Sequence, residues 1–272
     1  MKDVPQQILA VFIDFENLAL GFKDRHGRFD ANRVLARLVE KGNIVVKRAY
    51  ADWKRFSDYT TGLHEAGIEL IEIPARRLTG KNSADMRLCV DAMDMSYSKA
   101  HIDTFVIVSG DSDFSPLVAK LHENNKQVIG LGMKASTSAL LRDNCDEFIF
   151  YEDLEAEALD VPAVPGGDGQ QREAFHLLLE SLQALRRENR DTLWSSLIKT
   201  TIKRKRPSFT EAAYGYKSFS RLLEDAERAG VLELSRDAAN RTYIVTQFGS
   251  ELGSSPPAAS APRAAGGPRR AR

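Results

Sequence analysis

The sequence predicts an α/β fold, a mostly parallel doubly wound sheet over about residues 8–151, followed by a small winged helix. Two observations carry the first part. Apolar runs of five or six residues recur, as strands buried on both faces require, and helical patterns separate them, which implies right-handed crossovers. A third observation carries the second part: after a Pro/Gly-rich break come three helical patterns and two short strands.

Taken in order, the predicted strands are 8–13, 44–49, 68–73, 104–109, 127–131 and 147–151. Asp30 caps a first helix carrying Val34, Leu35, Leu38 and Val39, and Gly42 stops it. A second covers 53–65, closed by Gly67. Ser83 caps a third that runs to about Tyr97. Phe114–Asn124 and Ser136–Leu141 supply two more. Val161–Gly169 reads as a linker. A helix with Phe175, Leu178, Leu179, Leu182 and Leu185 opens the second unit; helices over Leu193–Ile202 and Lys217–Ala229 and strands Val231–Leu234 and Thr242–Thr246 complete it. The expected division is 1–153, a linker at 154–170, the winged helix at 171–248, and a basic Ser/Pro/Ala/Gly/Arg tail at 249–272, which its composition predicts to be disordered.

Composition bounds the function. The chain has 272 residues, 43% hydrophobic and 28% charged, with 38 basic and 38 acidic side chains. That is ordinary globular composition. No apolar stretch reaches 18 residues, so no membrane span is expected, and the N-terminus lacks a signal-peptide core; a cytoplasmic location is the expectation. Cys89 and Cys145 form no CxxC pair, which argues against zinc. Neither GxxxxGK[ST], GxGxxG nor GxSxG occurs.

Asp14 ends the first apolar run, Asp111 and Asp113 follow the fourth, and Asp85 lies in the first turn of a predicted helix. Ligands of open α/β sheets sit beyond the carboxyl ends of strands, and the strand order 3-2-1-4-5 makes the first and fourth neighbours. Carboxylates crowded there repel by roughly 4 kcal/mol per pair at 4 Å and an effective dielectric near 20. Mg²⁺ or Mn²⁺ relieves the repulsion, acidifies a bound water and stabilises phosphate charge. Asp14, Asp85, Asp111 and Asp113 are therefore the candidate catalytic and metal-ligating residues, with Asn17 positioning water or phosphate. Asp91 and Asp94 are second-rank ligands, and Ser109 and Ser112 candidate phosphate donors. Any single aspartate after a strand could instead cap the next helix.

Phe12-Ile13-Asp14-Phe15-Glu16-Asn17-Leu18, Lys81-Asn82-Ser83-Ala84-Asp85 and Ser109-Gly110-Asp111-Ser112-Asp113-Phe114 resemble, in order and spacing, the NYN domain of the PIN-like ribonuclease superfamily. The resemblance covers about 6–152. It implies a Rossmann-like sheet and metal-dependent endoribonuclease chemistry, with Asp14, Asp85, Asp111 and Asp113 as acidic ligands and Asn17 beside them. Trp194-Ser195-Ser196-Leu197-Ile198-Lys199, Pro207-Ser208-Phe209 and Tyr216 to Glu224 resemble a LOTUS (OST-HTH) domain, which implies RNA binding.

The residues themselves allow the same reading. Lys199, Lys203, Arg204, Lys205, Arg206, Lys217 and Arg221 can bind phosphates without choosing sequence, and Tyr214 and Tyr216 can stack on unpaired bases. Lys81, Arg76, Arg77 and Lys134 can flank the strand being cut. The expected partner is RNA, single-stranded or structured, with self-association left open and no membrane involved. The expected function is a Mg²⁺- or Mn²⁺-dependent endoribonuclease with an RNA-binding winged helix that delivers substrate across the linker. Two alternatives stay open: a noncatalytic RNA-binding regulator retaining the fold, and a phosphohydrolase of small phosphoesters. DNA is not excluded as substrate.

Overall fold

The structure is a computed structural model that describes residues 7–22, 28–73, 83–156, 169–188, 190, 192–237 and 242–252. Lys81, Arg76, Arg77, most of the expected linker and nearly all of the expected tail lie outside those residues.

A six-stranded parallel sheet forms the first body. Its strands are β1 (Gln7–Asp14), β2 (Gly42–Ala51), β3 (Glu69–Glu72), β4 (Thr104–Val108), β5 (Gln127–Gly132) and β6 (Glu147–Phe150), in the order β3-β2-β1-β4-β5-β6. The predicted adjacency of first and fourth strands is present, with Leu9 to Ile13 paired in register with Thr104 to Val108. Leu9 to Ile13 and Phe105 to Val108 are essentially inaccessible to solvent, as expected for strands covered on both faces.

Helices cover both faces. One is α2 (Ala31–Lys41), which Asp30 caps by accepting from the Asn32 N–H. The others are α3 (Ser57–Glu65), α4 (Ser83–Ser98), α5 (Ser115–Glu123) and α6 (Ala139–Asn144), the last capped by Ser138. Gly67 adopts a left-handed φ of 67° after α3, as its predicted stop signal requires. Two short helices escaped the sequence reading: α1 (Phe15–Gly21), directly after β1, and α7 (Tyr151–Ala156), directly after β6. Neither has a loop before it, so no turn signal marks its start. Packing fixes α1: Phe15 is fully buried, with ring centroids 5.0–5.8 Å from Phe29, Trp53, Phe56 and Tyr59.

The C-terminal elements are α8 (Gly169–Arg187), β7 (Leu193–Trp194), α9 (Ser195–Lys205), α10 (Phe219–Arg228), β8 (Leu232–Arg236) and β9 (Tyr243–Phe248). Three helices and an antiparallel β7-β9-β8 sheet give the winged-helix layout. Residues 193–194, predicted as helix, are strand instead, pairing with Val245 and Ile244. Leu178, Leu182, Ile198, Ile202, Leu222 and Leu223 build this unit's own core.

Candidate functional site

The site begins at the end of β1. Asp14 pairs across the sheet with Tyr50, one residue past the last β1–β4 pair, so its carboxylate stands at the carboxyl edge. It is 3% exposed. The Ser109 hydroxyl donates to Asp14 Oδ2 at 3.0 Å, and the Asn17 backbone N–H donates to Oδ1 at 3.2 Å. Ser109 Oγ also accepts from the Asp111 N–H at 3.2 Å, and Asn17 Oδ1 accepts from the Gly110 N–H at 3.0 Å. Asn17 and Ser109 thus stitch the ends of the two strands together. Gly110 is required here, because a Cβ would lie 2.6 Å from the Ser136 carbonyl oxygen.

The Asp14 carboxyl is raised from 3.8 to about 7. Burial contributes most, then the charge of Asp85; the hydrogen bonds from Asn17 and Ser109 oppose it, and Asp111 adds a further increase. Asp85 sits in the first turn of α4 and is half-buried, and Asp111 is half-buried after β4. Asp14, Asp85 and Asp111 therefore share one electrostatic site. Asp113 is exposed at its rim. Asp111 also behaves as an ordinary cap, accepting from the Asp113 N–H at 3.0 Å.

Among the described residues, no three acidic, histidine or cysteine side chains converge tightly enough to enclose one ion. This differs from the four-ligand pocket expected from sequence. The donor set still suits a hard divalent cation, which keeps several waters and takes as few as one or two carboxylates. A carboxyl buried against neighbouring carboxylates, as Asp14 is, gains from a nearby positive charge.

Asp91 lies elsewhere: it accepts from the Tyr50 hydroxyl at 2.9 Å and pairs with Arg87 at 3.0 Å. Asp94 is exposed. Lys134 pairs with Asp153. Asp52, at the carboxyl end of β2 and 7% exposed, was passed over in the sequence. Its position just past a strand is the same signal that flags Asp14. Its carboxylate accepts from the Lys54 N–H, a local turn role.

The basic segment of α9 has partners within the chain. Lys205 Nζ lies 2.8 Å from Glu40 Oε1, and Arg204 donates to the Glu40 carbonyl at 2.7 Å. Arg187 at 2.7 Å and Arg37 at 3.0 Å complete the ring around the Glu40 side chain, which is 4% exposed. Glu188 joins Arg37 at 2.6 Å and Lys41 at 2.9 Å. Burial pushes the Glu188 carboxyl up, but those hydrogen bonds outweigh it and hold it below the ordinary value. Lys199 pairs with Glu211, Arg206 with Glu173 and Arg221 with Glu224. The Tyr216 hydroxyl donates to Asp225, and Tyr214 stacks on Phe209. Lys203 and Lys217 are exposed.

A family model for the NYN domain matches residues 8–155. The chain belongs to the NYN domain family. Its α/β body is thus a domain of a nuclease superfamily, with the acidic residues at the edge where that sheet places ligands. An uncharacterised protein of Methanocaldococcus jannaschii is 27% identical over 141 residues, 52% of this chain and 54% of its own length. The chain thus spans about half the length of that curated relative. The crystal structure of a Vibrio parahaemolyticus protein of unknown function aligns with 25% identity and a TM-score of 0.49, covering 57% of this chain and 98% of the other. Among the described residues no helix is long and apolar enough to cross a membrane.

Proposed function

We propose that the NYN domain is a divalent-metal-dependent endoribonuclease and that the C-terminal unit is an accessory RNA-binding element. The observation that supports it most is the buried Asp14 carboxyl facing Asp85 and Asp111 at the joined ends of β1 and β4. Asp14, Asp85 and Asp111 would hold Mg²⁺ or Mn²⁺, with Asp113 at the rim. Such an ion supplies charge stabilisation on the phosphate and a more acidic water. Ser109 and Asn17 hold the Asp14 carboxylate in one orientation. A neighbouring carboxylate accepts the proton of the attacking water. The Ser112 hydroxyl and the Asn17 amide are suited to donate to phosphate oxygens.

The test is cleavage of end-labelled RNA and DNA by the full chain with Mg²⁺, Mn²⁺ or chelator, beside Asp14→Asn. Metal-dependent internal cuts in RNA that vanish in the variant are expected. RNA binding without turnover under every metal condition would favour the regulator instead.

A further inference from the structure

Large apolar side chains scattered singly over a surface are ordinary. Here three of the most exposed ones, Met86 (64%), Val90 (63%) and Leu140 (58%), gather around one open trough of about 690 Å³. Asp85 and Asp113 line the same trough, together with Ser112, Ser115 and Pro116. Its volume falls within the range of ligand sites, roughly 300–1,000 Å³. The apolar stripe continues along α4: residues 86, 90, 93 and 97 follow helical spacing, and Tyr97 is 70% exposed. From Met86 to Tyr97 the stripe is roughly 16 Å long, at about 1.5 Å per residue. Ser115 Oγ is buried beside the trough with no hydrogen-bond partner among the described residues.

With a divalent cation held at the carboxylates as proposed above, an occupant would be apolar on its faces and anionic at that end. The cores of protein–protein interfaces are depleted of charged residues; this trough carries two carboxylates and two hydroxyls, and it is concave. An unpaired stretch of nucleic acid has the required pattern, with flat bases whose faces can lie against apolar side chains and a phosphate beside them. We propose that the trough is the base-contacting subsite of the nuclease. Bases flanking the scissile phosphate lie against Met86, Val90 and Leu140, and Ser115 supplies a hydroxyl to the strand. This rests on the nuclease reading above and adds the residues that position the substrate.

The test is a binding cycle that needs no turnover. The full chain carrying Asp14→Asn, with Mg²⁺, is titrated with a fluorescent single-stranded RNA and with the same RNA bearing abasic nucleotides. Both titrations are repeated after adding Met86→Ser and Val90→Ser, exposed positions where serine leaves the core intact. The abasic RNA should bind roughly tenfold more weakly, as losing one base face buried on an apolar floor predicts. The serine variants should lose a similar factor on intact RNA and little more on abasic RNA. Equal affinities for both RNAs, or losses that multiply independently, would overturn the proposal. So would a chain that sediments as a dimer and becomes monomeric in the serine variants with RNA affinity unchanged, which would assign the stripe to a second copy. Wild-type cleavage, measured separately, tests the nuclease reading itself.

Discussion

Asp14→Asn should make the metal-free protein more stable, not less. The carboxyl binds its proton at about 7 in the folded chain against an ordinary 3.8, and each pH unit of that difference is worth about 1.4 kcal/mol. The folded state holds the proton more tightly, so stability from this group is full below pH 3.8, falls as pH rises toward 7, and is flat above. The ionised carboxylate thus costs the fold about 4 kcal/mol at pH 8. Asparagine keeps the shape and removes the charge. It keeps an oxygen for the Asn17 N–H but turns an amide nitrogen toward Ser109, whose hydroxyl already accepts from Asp111. One hydrogen bond is disturbed, at about 1 kcal/mol. The net gain is about 3 kcal/mol at pH 8 and smaller by about 2–3 kcal/mol at pH 5. Urea unfolding in chelator at both pH values measures it. Adding Mg²⁺ or Mn²⁺ should narrow the gap by stabilising only the wild type. A variant less stable than wild type at pH 8, or a difference that ignores pH, would refute the account of a charge held against its preference.

Three further outcomes follow from the same geometry. Ser109→Ala removes a donor to Asp14, so the acid limb of the pH–rate profile should move to higher pH. Activity below neutrality should fall about tenfold or more, since a hydrogen bond to a charged group is worth about 1.5–3 kcal/mol. Gly110→Ala drives a Cβ into the Ser136 carbonyl and Thr137 Cα, which are backbone and cannot swing aside. It should cost about 1–3 kcal/mol in thermal unfolding and displace Asp111 enough to abolish cleavage. Glu40→Ala takes the shared carboxylate from Lys205, Arg187 and Arg37, with Glu188 still on Arg37 and Glu180 still on Lys205. Losing hydrogen bonds between charged groups while other partners remain costs about 1.5–3 kcal/mol, and hydrogen exchange should show α2 and α9 losing protection together.

Much of the sheet was legible because its signal is local. Buried parallel strands must be continuously apolar, and the acids that end them interrupt that run visibly, as in Ile13-Asp14 and Val108-Ser109-Gly110-Asp111. Strand order followed from topology rules rather than from any residue. The short elements were illegible for the opposite reason. Helix α1 is held by Phe15 among aromatic rings from three other segments, and β7 is two residues that need Val245 and Ile244 as partners. Spacing along the chain did allow the cap that Asp111 forms, but it could not reveal that Ser109, read as a phosphate donor, bonds to Asp14.

The basic segment of α9 shows where charge counting stops. Lysines and arginines announce a polyanion, yet glutamates of the same chain meet the same requirement: Glu40 and Glu180 pair with Lys205, and the Glu40 carbonyl accepts from Arg204. That choice has a spatial consequence. Glu40 and Lys41 precede Gly42, which pairs with Gln7 at the start of β1, whereas Asp14 is at the end of the same strand. Seven residues at about 3.3 Å each put roughly 23 Å between the two levels. The C-terminal unit is therefore anchored at the amino edge of the sheet, opposite the acidic edge. A docked unit cannot raise the local concentration of substrate the way a freely tethered one does. An RNA held by the exposed Lys203 or Lys217 would have to run along the body of the domain to reach Asp14. Lengthening the segment between the two units should then leave RNA cleavage nearly unchanged, whereas Glu40→Ala combined with Glu188→Ala, which removes both carboxylates of the contact, should change the preferred substrate length. A strong dependence of rate on linker length in the otherwise intact chain would mean that the charged contact opens during turnover.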